Sequence, residues 1–109
     1  MLFVETVVFT GLITDLAADD EYAAFQVALA EHPEAGALMA GCGGVRKVRM
    51  AIGNRGKSGG ARVLYLHLPN HERIYLLYVF TKGDAANLSS EGKKALRERA
   101  QAIKNSLHD

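Results

Sequence analysis

The cationic residues carry the clearest chemical signal in this sequence, because they are confined to one part of it. All thirteen lysines and arginines fall between residues 46 and 109, against five acids, whereas residues 1–45 contain seven acids and no lysine or arginine. A basic cluster is the usual footprint of a protein that binds phosphate-rich partners, and solvated charge on ordinary helices is the alternative. Arginine supplies fixed positive charge to a phosphate, and a lysine with cationic neighbours can transfer a proton.

The other reactive side chains do not form a recognisable site. Cys42 lies between glycines as the single cysteine, and His67 and His71 flank a Pro-Asn turn with no further ligand cluster. Neither pattern predicts a metal site. No leader and no apolar run near the ~20 residues of a membrane span is visible. We therefore expect a soluble cytoplasmic protein, with residues 1–109 as one domain.

The acidic part predicts one strand and two helices. Residues 2–6 are β-branched and aromatic, as in a short strand, and the next apolar residues have helical spacing: Phe9, Leu12, Ile13 and Leu16. The acids at 19–21 suit the start of a second helix, which His32 and Pro33 end.

The basic part predicts three strands and a last helix. In residues 47–52 the apolar Val48, Met50 and Ile52 alternate with Lys47, Arg49 and Ala51, which predicts a strand. Residues 53–60 form a glycine-rich loop that contains Arg55 and Lys57. Strands are expected over residues 61–68 and 73–81, the second covered on both faces and central, before a helix that begins near Ser89. The order β-α-α-β-β-β-α predicts an α+β domain with a small, mostly antiparallel sheet packed against helices.

Three segments together resemble the RelE/HigB toxins, in particular their HigB-like branch. Residues 32–50 lead from a proline through spaced glycines into Gly-Gly-Val-Arg-Lys-Val-Arg, and residues 56–68 lead from a basic glycine loop into a strand that begins with Arg62. Residues 75–90 contain an apolar strand that ends in Lys82, shortly before Asn-Leu-Ser. The order and spacing of these segments make the resemblance fairly specific.

The resemblance implies a RelE-like microbial ribonuclease fold and a ribosome-dependent endoribonuclease that needs no metal or organic cofactor. It also implies that mRNA in the ribosomal A site is the substrate. The implied partner is an antitoxin of the helix-turn-helix, HigA-like type, through which alone the toxin would meet DNA. The alternative is a catalytically inactive relative that binds RNA or the antitoxin and acts in transcriptional autoregulation.

The resemblance also assigns roles to individual residues. Arg62 matches the arginine that stabilises charge on the scissile phosphate, and Lys57 and Lys82 are the candidates for proton transfer. The candidate RNA-binding residues are Arg46, Lys47, Arg49, Arg55 and Tyr65, although a tyrosine on an apolar strand is more often a core residue. The general base stays unassigned, because several relatives use a tyrosine or histidine near the C-terminus and this chain has only His108 there.

Overall fold

The computed structural model describes residues 1–53, 60–81 and 89–107, and within them it confirms the α+β class. Every predicted element is present. The helices and strands, in chain order, are β1 (Leu2–Glu5), α1 (Val7–Leu16), α2 (Asp19–Glu31), β2 (Ala37–Leu38), β3 (Arg46–Met50), β4 (Ala61–Leu68), β5 (Arg73–Thr81) and α3 (Ser90–Leu107). The sequence did not predict β2, because two residues are too few to show an alternating pattern.

The five strands form one mixed sheet in the order β1-β5-β4-β3-β2. Three neighbouring pairs are antiparallel, and β1 runs parallel to β5. The expectation of a mostly antiparallel sheet is therefore confirmed. The expectation that β5 is the central strand is wrong, since β4 occupies the middle and β5 lies between it and β1. Two flanking strands still make β5 an interior strand, consistent with its apolar sequence.

The two acidic helices are joined to β1 through one carboxylate. Glu5 accepts hydrogen bonds from the Thr10 hydroxyl at 2.6 Å and from the Tyr22 hydroxyl at 2.7 Å. The Thr6 hydroxyl accepts from the Phe9 amide at 3.2 Å, which caps the start of α1. Burial raises the pKa of Tyr22, and its hydrogen bond to Glu5 raises this pKa further. These contacts orient α1 and α2 on the sheet.

The sheet has a separate apolar core on each face. The core under α1 and α2 contains Phe9, Ile13, Leu29, Val63, Ile74, Leu76 and Val79, and the core under α3 contains Cys42, Val45, Leu64, Leu66, Leu77, Phe80 and Ala100. A register shift between Leu64 and Tyr65 leaves one extra residue in β5. Because of this irregularity, Leu76 and Val79 share one face of β5 although they are three positions apart, a spacing that puts residues of a regular strand on opposite faces.

Helix α3 is attached to the glycine-rich segment that precedes β3. Arg97 Nη1 donates to the Gly41 carbonyl at 3.0 Å, and Lys104 Nζ donates to the Gly43 carbonyl at 2.7 Å. Gly43 has a φ of 72°, and a Cβ there would approach the Ala100 side chain to 3.4 Å. That distance is an ordinary contact, so it is the left-handed backbone conformation that favours glycine at this position. No helix among the described residues is long and apolar enough to cross a membrane.

Candidate functional site

Three of the predicted site residues lie together on one face of the sheet. Arg49 is paired directly with Arg62 across β3 and β4, and Lys47 is paired with Leu64. Residues paired across strands project from the same face, and Leu64 belongs to the core under α3. We call Lys47, Arg49 and Arg62 the cationic face. It lies on the side of the sheet that α3 covers.

The Arg49–Arg62 pair brings two positively charged residues side by side on neighbouring strands. The Cβ atoms of directly paired residues are about 4.5–5.5 Å apart, and like charges at such positions destabilise a sheet. Arg49 and Lys47 are exposed, and Arg62 is half-buried and donates to the Ala61 carbonyl at 3.3 Å. Two neighbouring positive charges on one face attract an anion that can contact both side chains.

Arg46 does not join the cationic face. It is paired with Tyr65, whose ring belongs to the core under α1 and α2. Its Nη1 donates to the Gly36 carbonyl at 2.7 Å and to the Glu34 carbonyl at 3.3 Å. Arg46 therefore fastens the segment between α2 and β2 to the sheet. The alternation that placed Lys47 and Arg49 on one face already put Arg46 on the other.

Tyr65 is a core residue, and its ring presents no face to an RNA base. Its side chain is 0% exposed. The hydroxyl donates to the Pro33 carbonyl at 2.8 Å and accepts from the Gly36 amide at 2.9 Å. Burial raises the pKa of Tyr65. A Cβ on Gly36 would lie 2.9 Å from this ring, so the two residues fit closely. Tyr65 therefore occupies the core position that is usual for a tyrosine on an apolar strand.

We expect Tyr65→Phe to lower the free energy of unfolding by about 1–3 kcal/mol, because the Gly36 amide and the Pro33 carbonyl lose their buried partner. Urea denaturation measures this difference. Tyr75→Phe is the matched control, since the Tyr75 hydroxyl accepts only a 3.3 Å bond from Arg73 and its side chain is half-buried. Equal unfolding midpoints for the two variants would contradict the structural role of Tyr65.

A family model described as the RelE toxin of the RelE/RelB toxin–antitoxin system matches residues 21–108. This chain belongs to the RelE toxin family. The match includes every site residue that the sequence predicted, and it begins within α2. Membership makes the chain the toxin of a toxin–antitoxin system, with an antitoxin as its partner. The HigB-like branch stays a prediction.

The remaining candidates of this RelE-family toxin lie outside the described residues. These are Arg55 and Lys57, within residues 54–59, and Lys82, within residues 82–88; the terminal His108 is also outside. The described flanks show where the chain approaches both segments. Met50, the last residue of β3, and Thr81, the last residue of β5, are both paired with Ala61. The last described residues of β3 and β5 therefore lie at the end of the sheet where Arg62 is located.

Cys42 and His67, which the sequence did not assign to a site, lie among residues that explain them as parts of the fold. Cys42 is 0% exposed in the core under α3. His67 is 10% exposed and lies 3.7 Å from a Glu34 carboxylate oxygen. Across residues 1–53, 60–81 and 89–107, no group of three or more His, Cys, Asp or Glu side chains is arranged to hold a metal ion.

Proposed function

We propose that this RelE-family toxin is a ribosome-dependent endoribonuclease that cuts mRNA and so inhibits translation until its antitoxin neutralises it. The observation that carries the proposal is the Arg49–Arg62 pair beside Lys47 on one face of the sheet. Three cations side by side on one face suit neighbouring phosphates of a single RNA strand. RNA recognition commonly targets single-stranded segments, such as a messenger held by the ribosome.

The reaction that these residues suit uses the RNA's own 2′-hydroxyl as the nucleophile. A base removes the proton of the 2′-hydroxyl while its oxygen attacks the adjacent phosphorus. The bond from phosphorus to the 5′-oxygen then breaks, and an acid protonates that oxygen. The products are a 2′,3′-cyclic phosphate and a 5′-hydroxyl. Side chains alone supply every proton transfer in this scheme.

The residue roles in the proposal follow the type of each side chain. Arg62 stabilises the charge that develops on the phosphorane-like transition state, because its planar guanidinium offers several donors at once. Lys47 and Arg49 hold the neighbouring phosphates. Lys57 and Lys82 are the proposed proton-transfer groups, and Arg55 contributes charge that attracts the RNA. This division keeps binding and chemistry on different side chains.

The experiment that tests the proposal compares translated and naked messenger. We expect the purified protein to cut mRNA on translating ribosomes at defined codons and to leave the same mRNA intact without ribosomes. The new ends should be a 2′,3′-cyclic phosphate and a 5′-hydroxyl, which end-specific labelling distinguishes. Intact messenger in both reactions would support the alternative, an inactive module that binds RNA or antitoxin.

Affinity for the programmed ribosome should depend strongly on salt. Neutralising phosphates with cationic side chains releases counterions, so about six such contacts lower the affinity roughly 10³-fold between 50 and 200 mM salt. Binding isotherms at four or more salt concentrations measure the slope. A flat dependence would argue against a phosphate-binding surface, whatever the cleavage assay shows.

The partner and location follow from the same proposal. We infer that the antitoxin is a helix-turn-helix, HigA-like protein and that the toxin reaches DNA only through it. Because the proposed substrate is ribosome-bound mRNA, the toxin acts in the cytoplasm. A small helix-turn-helix protein encoded beside the toxin, and able to restore growth when both are expressed, would support this pairing.

A further inference from the structure

The two long flanks of α3 face different parts of the molecule. Gly92, Leu96 and Arg99 line an apolar groove of about 630 Å³, whose opposite wall includes Val4 and Val7 of the β1–α1 region. Arg97 and Lys104 instead contact the glycines that lead into β3. Residues four, seven and eleven positions apart share one side of a helix. Lys93 is four residues before Arg97 and therefore lies on the β3 side of α3.

The position of Lys93 along the sheet follows from the rise per residue of α3 and of β4. The C-terminal turn of α3 lies at the end of β4, because Leu107 and Leu68 line the same small cavity. From Leu107 back to Lys93 a helix advances about 21 Å. From Leu68 back to Arg62 a strand advances about 20 Å. For a helix that runs alongside β4, these nearly equal lengths put Lys93 at the level of Arg62, one turn before the Arg97 contact with Gly41.

Lys93 has the properties of a ligand-binding cation. It is exposed, and no carboxylate of a described residue is paired with it. Its neighbours on the same side, Arg97 and Lys104, are held by backbone carbonyls, whereas no backbone carbonyl of a described residue accepts a hydrogen bond from the Lys93 side chain. The charge of Lys93 is therefore available to a partner at the level of the Arg49–Arg62 pair.

We propose that α3 forms the second wall of a cationic cleft, in which Lys93 binds an RNA phosphate next to those bound by the cationic face. The inference rests on the proposed function, because it assumes that the partner of the cationic face is an RNA strand. The sheet supplies the floor of the cleft through Lys47, Arg49 and Arg62. The first turns of α3 supply its side, and the RNA backbone runs between them.

A charge-matched pair of variants tests this placement. Lys93→Ala and Lys94→Ala each remove one positive charge from adjacent positions of α3, but Lys94 lies on the outer side of the helix with the exposed Glu98 and Gln101. The probe is a ribosome programmed with a 2′-O-methylated messenger, which lacks the nucleophile and cannot be cut. Affinity is measured between 50 and 200 mM salt, with thermal melting as the control for folding.

We expect Lys93→Ala to reduce the salt slope by about 0.7 and to weaken binding roughly 5-fold at 0.1 M salt, as the loss of one single-strand phosphate contact requires. Lys94→Ala should match the wild type, and Lys93→Arg should restore the slope. Equal slopes for Lys93→Ala and Lys94→Ala would overturn the inference.

The cleavage assay on translated messenger keeps the two proposals apart. A wild type that cuts messenger, combined with equal binding by the two alanine variants, overturns the role of α3 alone. A wild type that does not cut overturns the proposed activity, and a difference between the two variants then still supports an RNA-binding wall on α3. Wild-type binding without salt dependence overturns the phosphate-binding role of α3 and of the cationic face, and the cleavage assay still decides the proposed activity.

Discussion

Arg62→Ala is expected to lower the rate of mRNA cleavage by about 10²- to 10³-fold while the protein remains folded. The proposed role of Arg62 is to stabilise charge that develops only in the transition state. Removing such a preorganised donor costs about 2.7–4 kcal/mol in activation free energy. Affinity should fall much less, because Lys47 and Arg49 still contact the RNA. Single-turnover cleavage of ribosome-bound messenger measures the chemical step directly.

The fold should tolerate this substitution. Arg62 is only half-buried and belongs to neither apolar core, so truncation of its side chain leaves both cores intact. Arg73→Ala is the matched control, since it removes the same residue type from the other end of the sheet, where Arg73 is paired with Leu68. Arg62→Lys should recover only part of the rate, because an ammonium group lacks the planar fork.

The measurement can fail in an informative way. If Arg62→Ala cuts at nearly the wild-type rate, Arg62 is not the charge-stabilising residue, and membership of the RelE family is unaffected. If Arg73→Ala loses as much activity as Arg62→Ala, the effect reflects net charge and not position. Growth inhibition in cells that express each variant should follow the same order as the cleavage rates.

Substitution of the proton-transfer lysine should have the second large effect. Lys57→Ala or Lys82→Ala, whichever removes the proton donor or acceptor, is expected to slow cleavage by roughly 10²- to 10⁴-fold. It should also remove one limb of the pH–rate profile, because that limb reports ionisation of the missing group. The other lysine, if it only contacts phosphate, should leave the shape of the profile unchanged.

The pH–rate profile separates these roles better than the rate alone. Arg55→Ala serves as the control, since it removes a cation from the same segment as Lys57 without removing a titratable group in the working pH range. If Lys57→Ala and Lys82→Ala both keep the shape of the wild-type pH–rate profile, neither lysine transfers the proton. The unassigned general base would then have to be sought elsewhere, with His108 as the remaining residue that the resemblance suggests.

The sequence by itself determined the positions of most elements. Strand β3 was visible because cationic and apolar residues alternate within it, and β5 because an interior strand is apolar on both faces. The order of basic segments was enough to recognise the family that the model over residues 21–108 confirms. These features are local in the chain, so a single sequence displays them.

The tertiary structure decided which of the predicted residues meet. Direct pairing of Arg49 with Arg62 depends on the register between β3 and β4, which no local pattern specifies. Tyr65 lies in a strand that is apolar at nearly every position, so alternation did not reveal that both of its faces are covered. Its burial follows from α1, α2 and the segment around Gly36, which cover the face of the sheet to which its ring projects. Register and layering join residues distant in the chain, and for that reason they appear only in the folded protein.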